Sequence, residues 1–173
     1  MTVSPLPAGS RILAESVSPW SDALNDLLQP PVAELRQTVS VNVTSGGTGV
    51  LMTFTTEDID TAGGHSNVSN TGRYTSTVWG YYLLGGAVSF ASNATGRRGC
   101  WWRKNGTVLD GSEIVMAAGS NIVTVPARSK IVELDVGDYV EMIAFQDSGS
   151  TLATAVTATQ QPTMSVRLVS YLS

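Results

Sequence analysis

One histidine and one cysteine limit the chemistry this chain can do. A catalytic triad or an imidazole metal site would rest on His65 alone, in a Gly-Gly-His-Ser loop. The Gly-x-Ser-x-Gly pattern of a nucleophile elbow is absent, and a loop or subunit-contact role is expected for His65. Glu57, Asp58 and Asp60 gather oxygen ligands that suit a hard cation, but their spacing is not that of an EF-hand loop. A solvated acidic strand end is the favoured reading. Asp110 and Glu113 are a glycosidase pair by count only, since that chemistry needs two acids across a sugar cleft. Gly-rich Ser45 to Gly49 reads as a hairpin turn and opens no helix, so it cradles no phosphate. Cys100 adjoins Trp101 and Trp102 in an apolar run and reads as a small buried hydrophobe. Trp101 and Trp102 are neighbours on a strand, so one points inward and one outward. The outward ring is available to a neighbouring chain or a sugar. No catalytic residue, cofactor or metal is expected.

Composition narrows the function further. Of 173 residues, 42% are apolar, enough for a core, and only 14% are charged. That charge fraction is below the roughly 25% usual for soluble domains, which suggests surface covered by partners. Net charge is −4 and Lys and Arg do not cluster, so nucleic acid is not an expected partner. Neither a secretory leader nor a membrane-length apolar run is seen, and no membrane partner is expected. The sequons at Asn42, Asn67, Asn93 and Asn105 are what a Thr- and Asn-rich β surface produces by chance.

The elements that position these residues change character at Pro30-Pro31. Before it, Ser18-Pro19 offers a helix cap, and Trp20, Ala23, Leu24, Leu27 and Leu28 recur at the spacing of one apolar helix face. So short a helix is marginal alone, and its stripe must lie on something. Residues 1–31 are therefore expected to form an attachment segment, with Trp20, Leu24, Leu27 and Leu28 as the anchor. From there on, the apolar period is two. Strands are expected from Leu35 to Val43, Leu51 to Thr56, Arg73 to Val78, Tyr81 to Ala91, Arg98 to Lys104, Ile131 to Leu134, Tyr139 to Phe145 and Met164 to Leu172, with shorter runs between. Glu57 to Asp60 ends the second. Asn105-Gly106 signals a hairpin, and the last strand should pair inside a sheet. About ten antiparallel strands with turns every eight to twelve residues imply an all-β sandwich or jelly roll over 32–173.

This body resembles the C1q/tumour-necrosis-factor jelly roll. The carriers are Arg73-Tyr74, Gly80 to Leu83, the Asn105-Gly106 hairpin, Ile131 to Leu134 followed by Gly137 to Glu141, and the apolar last strand. Within that family it looks most like the C1q-like virion proteins of phages infecting actinobacteria, a group spanning head-fibre, minor capsid and minor tail proteins. Here the carriers are Ala14-Glu15, Asp22 to Leu28, Pro30-Pro31, Glu57 to Asp60, Gly64 to Ser66 and Ser92 to Arg97. The resemblance implies a homotrimer, exposed on a virion made in the host cytoplasm. Residues 1–31 would hold the major capsid or a tail protein.

A strand apolar on both faces, such as Tyr81 to Ala91, must be covered twice, and two further copies would supply the second cover. Tyr82, Leu84, Val132, Val169 and Tyr171 are the expected axis-lining residues. The alternative for each is ordinary sandwich core, since bulges decide the parity. The leading functional expectation is a capsid decoration or head-fibre protein. The rival is a tail-associated receptor-binding protein that meets host cell-wall glycan through Asn93 to Arg97 or Ser148 to Thr151. An enzyme acting on envelope polymers is the least supported.

Overall fold

A computed structural model of the chain describes residues 28–171. The helix expected around Trp20, Leu24 and Leu27 lies outside them; Leu28 is described and exposed. The chain divides into Met1–Pro30 and Pro31–Ser173, and the second unit holds all the strands.

In chain order these are β1 (Val32–Arg36), β2 (Asn42–Val43), β3 (Val50–Leu51), β4 (Thr56–Asp60), β5 (Arg73–Thr75), β6 (Gly80–Phe90) and β7 (Arg97–Lys104). There follow β8 (Thr107–Val108), β9 (Ile114–Ala117), β10 (Val123–Pro126), β11 (Lys130–Leu134), β12 (Tyr139–Gln146), β13 (Leu152–Ala153) and β14 (Thr163–Tyr171). Two six-stranded sheets pack face to face. Sheet A runs β10-β6-β14-β1-β4, with β11 beside the first half of β6; sheet B is built on β3, β12 and β7, with β5, β8 and β9 added. The listed strand pairs are antiparallel. The chain switches sheets repeatedly, so each sheet takes strands from along the whole body.

Alternation sends one side of each strand inward. Trp102, Phe54, Phe90, Tyr74, Tyr82, Leu84, Met142 and Leu35 fill the space between the sheets. The last strand pairs β6 on one side and β1 on the other. Asn105 and Gly106 have φ of 51° and 78°, the paired left-handed residues that turn β7 tightly into β8.

Two strand expectations are corrected. Leu35 to Val43 is not one strand: β1 ends at Arg36, and Gln37 turns inward. Its amide donates to the Thr53 carbonyl at 3.0 Å and its carbonyl accepts from the Thr154 hydroxyl. A buried amide with both ends bonded interrupts the ladder and leaves Val39 exposed. Glu57 to Asp60, expected at a strand end, lies within β4, pairing β1 across a bulge at Glu34/Leu35.

Candidate functional site

The candidate site is the outward face of sheet A, and register defines it row by row. In one row Ile131 opposes Leu83, Leu83 opposes Arg167, and Arg167 opposes Val32. In the next, Glu133 opposes Tyr81 and Tyr81 opposes Ser170, with Val169 in the bulge beside it. On the other side, Gly85, Ser165, Glu34 and Ile59 follow one another across four strands. Ile131 is 64% exposed, Val169 48%, Leu83 39% and Tyr81 38%. Single exposed apolar side chains are ordinary, but adjoining ones across β11, β6 and β14 form a patch that invites a partner. Beside the patch is a hollow of about 500 Å³, where Gly85, Ser165 and Ser129 leave space between Leu83, Ile59 and Glu34.

This arrangement corrects the expected axis residues. Tyr82 and Leu84 are 0% exposed and Val132 is buried, all three inside the sandwich. The Tyr82 hydroxyl donates to the Val78 carbonyl at 2.7 Å. These side chains cannot meet another copy. The partner-facing residues of the same strands are one position away, at Tyr81, Leu83 and Ile131. A one-residue difference in parity moves every side chain to the opposite face. Val169 does face outward, because the bulge between Leu168 and Ser170 resets the alternation after buried Leu168. Tyr171 is half-buried and packs against the core. The expectation that the three apolar strands share one sheet matches the observed pairing of β6 with both β11 and β14.

Charges on this face fall into two groups. Arg36 and Asp58 form an ion pair at 2.8 Å, and Glu133 accepts the Trp79 indole N–H at 3.2 Å. Glu34 and Arg167 have no side-chain partner among the described residues. Burial, and then the nearby Asp58 charge, push the Glu34 carboxyl above its ordinary pKa.

His65 is a clamp. Its ring is enclosed, Nδ1 lies 2.8 Å from Glu57 Oε1, and Nε2 lies 3.1 Å from the Thr71 carbonyl. A carbonyl only accepts, so Nε2 carries a proton and is spent on the loop. Asp60 accepts the N–H groups of Gly64 and His65 at 3.1 and 2.8 Å. The acidic trio is thus divided among Arg36, His65 and backbone, and no group of three metal-ligating side chains occurs among the described residues. Cys100 is fully buried, and desolvation pushes its thiol up to about 12, so thiolate chemistry is suppressed.

The two loops considered for glycan meet at one end of the sandwich. Asp147 pairs with Arg97 at 2.8 Å and also accepts the Arg97 backbone N–H. Buried Arg98 donates to the carbonyls of Asn93, Thr95 and Arg97 at 2.8, 3.0 and 2.9 Å, fixing the first loop from beneath. Gln146 does the same for the second, through the Ser150 carbonyl and Ser148 N–H. Sequence reading nominated the loops separately. Arg98 and Gln146, the residues that hold them, were missed because a polar residue inside a strand gives no sign of which way it points.

Comparison with solved structures gives the fold. The body is similar to the globular domain of zebrafish complement 1qA, at 15% identity and a TM-score of 0.57, covering 82% of this chain and 99% of that one. It is similar to the Eiger TNF of S. frugiperda, at 9% identity and TM-score 0.58, covering 83% and 96%. It is also similar to murine APRIL, at 14% identity and TM-score 0.58, covering 80% and 98%. The fold is a C1q/TNF-like jelly-roll sandwich. No family model matches the sequence. No curated protein matches it either.

Proposed function

We propose that the chain is a structural protein of a phage particle: a homotrimer held to the capsid by residues 1–31, presenting its β sandwich outward as a decoration or head fibre. The observation that carries the trimer is the adjoining set Tyr81, Leu83, Ile131 and Val169, exposed on sheet A of a C1q/TNF-like sandwich. Burying these four against other copies removes apolar surface from water at about 25 cal/mol per Å². A closed ring of three accommodates such a face without an open filament. The virion assignment rests on the resemblance carried by Asp22 to Leu28, Pro30-Pro31 and Ser92 to Arg97.

Sedimentation across a wide dilution range tests the reading. A three-chain species is expected, and single chains at every concentration overturn it. Removing residues 1–31 should leave that species intact and abolish incorporation into particles.

The second reading, a tail-associated receptor-binding protein, is favoured by the braced loops at Asn93–Arg97 and Asp147–Ser150. Its ligand would be host cell-wall glycan. Tight retention of the body on cell-wall fragments, lost on changing those loops, would favour it over decoration.

A further inference from the structure

We infer that Arg167 of one copy seats in the sheet A hollow of the next and pairs with its Glu34, closing a cyclic set of ion pairs that fixes how the copies meet. This rests on the trimer reading above and adds the contact that would set its register.

The argument begins with what is left over on that face. In the register rows, Arg36 is bound to Asp58 and Glu133 to Trp79, while Glu34 and Arg167 lack side-chain partners among the described residues. They are diagonal neighbours on β1 and β14, since Glu34 opposes Ser165 and Arg167 opposes Val32. Such neighbours are within reach of long side chains, yet no ion pair forms within the chain. Both adjoin the exposed apolar patch, so covering the patch strips water from both. A charge that loses water unpaired is costly, and the face carries one of each sign.

The hollow supplies the receptor. Its floor is Gly85 and Ser165, where a longer side chain would fill the space. Its walls include Leu83 and Ile59, which suit the methylene stem of an arginine, and Glu34 stands at its edge to meet the guanidinium. Each copy offers one arginine and one socket. A head-to-tail contact of this kind closes under threefold rotation.

The test uses the full chain with two opposite substitutions, Glu34→Arg and Arg167→Glu, each sedimented alone and then mixed. Both positions are exposed, so each variant should keep the wild-type far-UV signal and melting temperature. Each alone should need about tenfold or more higher concentration to assemble, as expected for a lost and reversed interfacial charge pair. Mixing the two should restore assembly, because opposite charges then meet only between unlike copies. Unchanged assembly of either variant overturns the pairing while leaving the trimer standing. Weakened assembly that mixing fails to restore overturns it too, since the charges would then not meet across copies. A wild-type chain that is single at all concentrations removes the trimer itself.

Discussion

The outward faces of the two sheets are built to different ends. On sheet B the outward row Leu51, Ile143 and Trp101 is apolar, like its counterpart on sheet A. Yet Ile143 is 1% exposed and Trp101 9%. The chain covers them itself. Gly49, at φ +78°, comes so close that an added Cβ would sit 2.5 Å from Ile143 and 2.7 Å from Trp101. Trp101 also leans on Phe145, with ring centroids 6.3 Å apart. Charges alongside are engaged: Arg73 lies 3.9 Å over the Tyr139 ring and bonds Glu141 at 3.4 Å. Sheet A has no such lid over Tyr81, Leu83 and Ile131, and two of its charges are idle. One sandwich thus carries a face finished within the chain and a face left for something else. Fold likeness alone does not separate them; side-chain exposure does.

The largest expected effect breaks the finished face. Trp101→Ala should cost about 3–5 kcal/mol of folding stability, as large-to-small changes at buried aromatics do. The self-association of whatever remains folded should not change. Chemical denaturation and sedimentation of the same sample measure both. A Trp101→Ala protein with native stability would mean that sheet B's face is not closed by its own chain.

The next change sharpens the open face. Leu83→Asp with Ile131→Asp places two charges where the partner is proposed. Assembly should weaken by at least about a hundredfold, or roughly 3 kcal/mol, from the desolvation each charge meets. The stability of the single copy should move by less than about 1 kcal/mol, because both positions are exposed before assembly. Tyr82→Ala and Leu84→Ala, one residue away, should behave like Trp101→Ala instead. If the inward pair abolished assembly without loss of stability while the outward pair did nothing, the parity of β6 drawn here would be wrong.

That parity shows what was legible in the sequence and what was not. The period-two runs, the Asn105-Gly106 turn and the apolar last strand were enough to reach a jelly-roll sandwich, because each is a local signal. Which face of β6 looks inward is not local. It depends on bulges at Glu34/Leu35 and Leu168/Ser170 and on which strands lie opposite. Val169 was placed on the open face only because a bulge reverses the alternation there. The lid on Trp101 was equally hidden, since Gly49 reads as one more turn glycine until its approach to the ring is seen. His65 was read as a loop residue; that Glu57 and Thr71 hold its ring required the long-range geometry.

The smallest expected effect concerns charge, and it has opposite signs on the two sides. Asp138, at the turn into β12, accepts from Lys104 on sheet B and from Asn105, both at 2.7 Å, and from the Asp135 N–H at 3.0 Å. Lys104 first, then Asn105, lower its carboxyl to about 2. A carboxylate held below its unfolded value stabilises the fold above that unfolded value, near pH 4, and the contribution disappears as pH falls through about 2. Allowing for solvent screening, Asp138→Asn should cost on the order of 1 kcal/mol at neutral pH. The variant and the wild-type chain should converge below pH 2. Glu34 on sheet A runs the other way. Its carboxyl is raised, so the folded single copy holds the proton more tightly, and ionisation costs stability as pH rises. Glu34→Gln should therefore leave the dissociated chain no less stable at neutral pH while weakening assembly. Denaturation curves at pH 2.5, 4 and 7, taken on dilute single copies, separate the two carboxylates. Should Glu34→Gln destabilise the single copy as Asp138→Asn does, Glu34 would already have a partner within its own chain, and the contrast between a satisfied face and a waiting one would fail at its charges.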